Sequence, residues 1–92
     1  MMIDVVVEFV ESCGWSVVQV FDVKRFTCFD EHYVQVLTSI HVQVGEGKCW
    51  VHVLDDGVMV GGFRLRDCGV RVDYNDPLLF DKLKLLVGDY CV

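Results

Sequence analysis

The sequence predicts a two-layer α+β domain, in which an antiparallel meander of about five strands carries an N-terminal and a C-terminal helix on one face. Side chains alternate strictly through 33–65, two glycine-containing breaks fold that alternation back on itself, and helical periods occur at both ends of the chain. The 20 valines favour a sheet, because β-branched side chains suit a pleated surface. Residues 1–92 are therefore expected to form a single α+β domain.

The charge balance of the chain limits its partners. The formal net charge is −6, with 14 acidic and 8 basic side chains and no basic cluster longer than Lys24-Arg25. Proteins that bind nucleic acid gain much of their affinity by neutralising phosphates, so this balance argues against them. No stretch approaches the roughly 20 apolar residues of a membrane span, and no secretory signal is present. We expect an intracellular, cytoplasmic protein that binds neither nucleic acid nor membrane.

Five cysteines are scattered along the chain: Cys13, Cys28, Cys49, Cys68 and Cys91. Their number is odd and no secretory signal accompanies them, so a disulfide framework is not expected. We interpret them as reduced side chains that act as small apolar residues. A host with a disulfide-rich cytoplasm would be the exception.

The first segment predicts a helix. Its carboxylates recur at spacings of four and three residues, and we interpret them as a solvated face. The apolar positions are Ile3, Val6, Val7, Val10 and Cys13, and the acidic ones are Asp4, Glu8 and Glu11. Gly14 follows, where a helix commonly ends in glycine. Three consecutive valines also allow a strand.

Residues 15–23 predict the first strand, because β-branched and aromatic side chains predominate there. The segment 24–29 either continues that strand or forms a loop. If it continues, a three-residue turn at 30–32 joins it to the meander. The aligned pairs would then be Phe26 with Val36 and Cys28 with Val34.

The next two strands are predicted at 34–44 and 49–55. Matching their apolar faces across the loop 45–48 selects one register. The apolar pairs in that register are Val44 with Cys49, Val42 with Val51 and Ile40 with Val53. On the opposite face, the same register places His41 opposite His52 and Gln43 opposite Trp50.

A third strand of the meander follows the Asp56-Gly57 pair, a dipeptide that tight hairpin turns favour. With these two residues in the turn, the predicted pairs are Val53 with Val60, Leu54 with Met59, His52 with Gly61 and Trp50 with Phe63. A bulge at Gly57 would shift the register by one residue and remove those pairs.

The C-terminal part predicts a turn at 66–69, a last strand over 70–74 and then a helix. Asp76 suits the N-cap and Pro77 suits the first helical position. The apolar stripe of the helix consists of Leu79, Phe80, Leu83, Leu86 and Val87. Gly88 is predicted to end the helix. Both helices are expected to cover the valine-rich face of the sheet.

The second face of the predicted sheet mixes polar and apolar side chains, as interface cores do. Its candidate binding residues are Trp50, Phe63, His41, His52, Leu54 and Met59. We therefore predict a small intracellular interaction module that forms a homodimer through this face or binds another protein there. The alternative is that a loop, or a tail such as 89–92, covers this face within one chain.

No motif in the sequence specifies a reaction, and we expect no catalytic residue, metal ligand or cofactor. The alternative class is a metal-dependent hydrolase or nuclease, built on Glu46 and Lys48 or on the predicted pair of His41 and His52. Glycines place Glu46 and Lys48 in a turn, however, and the histidine pair lacks a third ligand. Cysteines and histidines at 28, 32, 49 and 52 resemble a zinc pattern in spacing, but Cys49 and His52 would point to opposite faces of a strand.

Overall fold

The computed structural model describes residues 2–22, 26–27, 33–34, 36–63 and 69–92. Over these ranges, two helices flank the strands: α1 at Met2–Ser12 and α2 at Leu79–Tyr90. In chain order, the strands are β1 at Ser16–Asp22, β2 at Phe26–Thr27, β3 at Tyr33–Val34, β4 at Val36–Val44, β5 at Gly47–Leu54, β6 at Gly57–Gly62 and β7 at Val70–Asp73. Five of them form one antiparallel sheet in the order β1-β4-β5-β6-β7, and β2 pairs with β3. The predicted α+β fold is confirmed.

The core lies between the two helices and the valine-rich face of the sheet, as predicted. The helices contribute Val6, Val10, Leu79, Leu83 and Val87. The sheet contributes Ile40, Val42, Cys49, Val51, Val53, Val58, Val60 and Val72. Because alternate residues of a strand point to opposite faces, the intervening side chains lie on the other side of the sheet, which we call the outer face.

α1 forms and ends as predicted, and the alternative of a strand is wrong. Gly14 has a φ of 80°, and its N–H donates to the carbonyl of Glu11 at 3.0 Å. The N–H of Cys13 and the hydroxyl of Ser12 both donate to the carbonyl of Phe9, at 3.1 and 2.7 Å. These hydrogen bonds satisfy carbonyl groups that the last turn of a helix leaves unpaired.

β1 and β4 set the alignment of the first hairpin. Val20 of β1 faces Ile40 of β4, and Phe26 of β2 faces Val34 of β3. Both pairs follow the same alignment of the two chain segments. The predicted pairs of Phe26 with Val36 and of Cys28 with Val34 are therefore wrong. The predicted turn at 30–32 lies outside the described residues.

The hairpin between β4 and β5 is tighter than predicted. The observed pairs include Val44 with Gly47, Val42 with Cys49, His41 with Trp50, Ile40 with Val51 and Ser39 with His52. The predicted register is wrong by two residues, although the side chains from Thr38 to Val44 keep their predicted faces, because the shift is even. Turn length is the reason: Gly45 and Glu46 alone form the turn. Gly45 has a φ of 59°, in the left-handed region that suits glycine in tight hairpins.

The hairpin between β5 and β6 differs from the prediction in the same way. The observed pairs are Val53 with Val58, His52 with Met59, Val51 with Val60, Trp50 with Gly61 and Cys49 with Gly62. The turn consists of Asp55 and Asp56, and Gly57 begins β6. A Cβ at Gly57 would lie 2.4 Å from the carbonyl oxygen of Val72, so close strand packing requires glycine there. Both the predicted register and the one-residue bulge are wrong.

Tyr74 lies directly after β7 and connects it to the β5–β6 hairpin. Its hydroxyl donates to the carbonyl of Leu54 at 2.5 Å, and its backbone N–H donates to the carbonyl of Asp56 at 3.0 Å. The last strand therefore lies where it is predicted, although it ends at Asp73. Most of the predicted turn at 66–69 lies outside the described residues.

α2 begins and ends later than predicted. Asp76 accepts a hydrogen bond from the N–H of Leu78 at 2.9 Å, in the turn that precedes the helix, and the N-cap position belongs to Leu78. A hydrogen bond from Lys82, and then the one from Leu78, lower the pKa of Asp76. The helix continues through Gly88 to Tyr90, so the predicted end at Gly88 is wrong. Neither α1 nor α2 is long and apolar enough to cross a membrane.

A disulfide bond joins Cys49 of β5 to Cys91, the residue after α2, with Cα atoms 4.6 Å apart. The expectation that the cysteines are reduced is wrong for this pair. The fold explains the bond, because it brings the end of α2 against the core side of β5, across 42 residues of sequence. In the part of the chain that the structure describes, Cys13 is the free cysteine.

Candidate functional site

Trp50 is the centre of a ring cluster on the outer face. Along β5 it alternates with Cys49 and Val51, which belong to the core, so its indole ring points away from both helices. We call this cluster the aromatic patch: Phe21, His41, Trp50 and Phe63. It draws on β1, β4, β5 and the residue that follows β6. The meander thus brings together rings from four neighbouring segments.

The rings of the aromatic patch contact one another in a defined arrangement. The Trp50 and Phe63 rings are stacked, with centroids 5.7 Å apart and an interplanar angle of 5°. The His41 ring lies 5.3 Å from Trp50 and 4.8 Å from Phe63, and the Phe21 ring lies 5.6 Å from Trp50. Such pairs contribute about 0.5–1.5 kcal/mol each beyond their buried area. The patch is therefore a preformed surface.

The six predicted binding residues differ in their exposure. Phe63 is 45% exposed, and Trp50 and His41 are partly exposed. The other three are buried within the chain: His52, Leu54 and Met59. Only the first three present atoms that a partner could contact without a rearrangement of the chain.

A hydrogen bond fixes Trp50 in the aromatic patch. Its Nε1–H donates to the backbone carbonyl oxygen of Phe63 at 3.1 Å. The polar atom of the indole is thus satisfied within the chain, and the ring can be covered by a partner without losing a hydrogen bond to water. Lys48 borders the patch, with its Nζ 5.5 Å from the centroid of the Phe63 ring, in the range of a cation–π contact.

His52 lies beneath the aromatic patch as a buried, neutral side chain. Its Nδ1 and the hydroxyl oxygen of Ser39 are 2.7 Å apart, and its ring is stacked on Trp50 with centroids 6.1 Å apart. Burial lowers the pKa of His52 to about 4. Because His52 is only 2% exposed, its neutral ring packs against one side of the Trp50 indole and is not accessible to a partner.

His41 does not pair with His52. The observed register places Trp50 opposite His41 and Ser39 opposite His52, so the predicted histidine pair is wrong. Burial, and next the positive charge of Lys48, lower the pKa of His41. Its Nε2 atom is buried and has no hydrogen-bond partner among the residues that the structure describes.

The C-terminal tail does not cover the aromatic patch. Cys91 is bonded to Cys49, which lies in the core on the opposite side of the sheet. The backbone carbonyl of Cys91 also lies against Gly47, where an added Cβ would be 2.4 Å from its oxygen. The tail 89–92 therefore does not cover this face, and that form of the alternative is wrong.

The residues of the catalytic alternative are distributed as follows. Glu46 is exposed in the β4–β5 turn, while Lys48 lies in β5 rather than in the predicted turn. Cys49 is bonded to Cys91 and faces the core, whereas His52 lies on the outer face, as their three-residue spacing predicts for a strand. Among the described residues, no three histidine, cysteine or carboxylate side chains gather as metal ligands would.

The predicted binding residues did not include Phe21, Ser39 or Lys48. Lys48 could have been found, because it lies two positions from Trp50 on the same strand and therefore shares its face. Phe21 and Ser39 depend on strand pairing, and they face each other across β1 and β4. Only a correct register places Ser39 opposite His52.

The aromatic patch offers ring faces to whatever contacts it, and the neighbouring Lys48 offers an ammonium group. These groups suit non-covalent recognition by packing and hydrogen bonding. No family model, curated protein or solved structure matches this chain.

Proposed function

We propose that this protein is a small interaction module and that its aromatic patch is the contact surface. The observation that carries the proposal is the stack of Trp50 on Phe63, partly exposed on the face that neither helix covers. Aromatic side chains are enriched at the energetic centres of protein interfaces. Contacts within the chain already hold these rings in place. Binding a partner would therefore cost little side-chain entropy on this side of the interface.

The proposed partner is a second copy of the chain, bound in an isologous dimer through the same patch. Two copies that each carry a net charge of −6 repel each other, so they need a contact region free of carboxylates. The aromatic patch and its neighbour Lys48 meet that need, because none of these five side chains is acidic.

The proposal includes the cellular setting expected from the sequence. We place the module in the cytoplasm, acting on protein partners rather than on nucleic acid or membranes. The acidic balance of 14 to 8 supports the exclusion of nucleic acid, because phosphate contacts require basic groups.

The test is the solution mass of the wild type and two variants by light scattering. The wild type should have twice the 10.5 kDa of one chain. Phe63→Asp should be monomeric, because it introduces a carboxylate into the proposed contact. Leu85→Asp is the matched control, since Leu85 is 71% exposed on α2 and lies away from the patch, and it should remain dimeric.

Circular dichroism should confirm that both variants keep the fold of the wild type. A wild-type monomer at millimolar concentration would overturn the homodimer. Dissociation by Leu85→Asp, with Phe63→Asp still dimeric, would move the contact to the helix layer and overturn the role of the aromatic patch.

A further inference from the structure

The last turn of α2 has no fully buried side chain after Val87. Leu79, Leu83 and Val87 are buried against the sheet at successive turns of the helix. Gly88 and Asp89 are exposed. Beyond Val87, Tyr90 is the helix residue that packs against the core, and it is only partly buried.

The composition of that last turn also disfavours a helix. A Cβ at Gly88 would have no atom within 4 Å, so the position gains no packing in return for the low helix propensity of glycine. Asp89 places a carboxylate at the C-terminal end, where the helix dipole is already negative. The last turn contains no basic side chain to offset that charge.

Covalent attachment to the sheet compensates for this weakness. Directly after the last turn, Cys91 is bonded to Cys49, and its backbone N–H donates to the carbonyl of Val87 at 2.9 Å. Its carbonyl group lies against Gly47 at the start of β5. The final residue, Val92, is 94% exposed and adds no packing of its own.

We propose that the Cys49 and Cys91 pair is a redox latch that holds the last turn of α2 on β5 when oxidised and releases it when reduced. The proposal does not depend on the aromatic patch, which lies on the opposite face. The core provided by Leu79, Leu83 and Val87 does not need the bond, so reduction frees residues 88–92 while the domain stays folded.

The exposure of the two cysteines determines which sulfur an external thiol attacks first. Cys49 is fully buried, whereas Cys91 is partly exposed. The reductant is a small thiol such as glutathione, whose thiolate attacks the sulfur of Cys91 and breaks the protein disulfide, leaving Cys49 as a thiolate that takes up a proton. A second glutathione thiolate then displaces Cys91 from the mixed disulfide, which yields two protein thiols and one glutathione disulfide. Oxidation by glutathione disulfide is the reverse reaction.

The test is hydrogen exchange of the C-terminal amides, followed by mass spectrometry, after equilibration with glutathione disulfide or with reduced glutathione. Residues 88–92 should exchange at least about tenfold faster in the reduced protein, while residues 79–87 keep their protection. Cys91→Ser should exchange fast in both conditions. Cys13→Ser, which leaves the pair intact, should behave like the wild type. Gly88→Ala should narrow the difference, because it stabilises the last turn without the bond.

Three results would overturn the latch. One is equal exchange of residues 88–92 in both conditions. Another is alkylation of Cys49 and Cys91 after equilibration with glutathione disulfide, because it would show that the bond does not form. The third is a loss of protection throughout β4 and β5 on reduction, because the bond would then be a staple of the whole domain rather than a local latch.

Discussion

Acidification should destabilise this protein through His52. A histidine in the unfolded chain has a pKa near 6.5, whereas burial lowers the pKa of His52 to about 4 in the folded protein. Between these values the unfolded state binds a proton that the folded state does not. The free energy of unfolding therefore falls as the pH drops below about 6.5, and the loss is complete near pH 4. A difference of about 2.5 pH units corresponds to roughly 3 kcal/mol.

The assay is urea denaturation at several pH values between 4 and 7, with His52→Gln as the comparison. The wild type should lose stability with a slope of up to about 1.4 kcal/mol per pH unit, and His52→Gln should lose most of that slope. Some slope should remain, because the pKa of His41 is lowered as well. Ser39→Ala should keep the slope, since burial rather than the Ser39 contact causes the shift. An unchanged slope in His52→Gln would show that His52 is not the group whose protonation destabilises the fold.

Two further predictions concern packing and use the same denaturation assay. Gly57→Ala should destabilise the fold by about 1–3 kcal/mol, because its Cβ would collide with the carbonyl of Val72, while Gly88→Ala, with open space around it, should stabilise the fold by about 0.5–1 kcal/mol. Equal effects at the two glycines would contradict the close approach of β6 and β7. Leu83→Ala should remove about 2–5 kcal/mol, because Leu83 is buried in the core, whereas Leu85→Ala, on the exposed side of α2, should change stability by less than about 0.5 kcal/mol. Similar losses at both leucines would contradict the assigned orientation of α2.

The sequence predicted the elements and their faces because these depend on local periodicity. The spacing of Val6 and Val10 in α1 and the alternation through β4 each specify which side is buried, whatever lies opposite. Register is different, because a shift of two residues returns every side chain to the same face. The length of the turn determined the register of both hairpins. Gly45 adopts a left-handed conformation in a two-residue turn. Gly57 lies in β6 instead of the turn, where it allows the close approach of β7.

The sequence could predict those contacts of the candidate site that do not depend on the exact strand register. Trp50 and Phe63 meet as predicted, although Gly61 is the residue opposite Trp50, because the large indole reaches the diagonal position. The predicted pair of His41 and His52 required the register itself and was wrong. The Cys49 and Cys91 bond could not be predicted, because sequence spacing gives no information on where the end of α2 meets the sheet.

The hydrogen bond that holds Trp50 does not depend on the side chain at position 63. The indole is fixed by the backbone carbonyl of Phe63, a group that every amino acid carries, and not by the phenyl ring. Position 63 can therefore change its side chain while Trp50 keeps its hydrogen bond. In the proposed interaction module, a substitution at this exposed position would therefore change the contact surface while Trp50 stays in place.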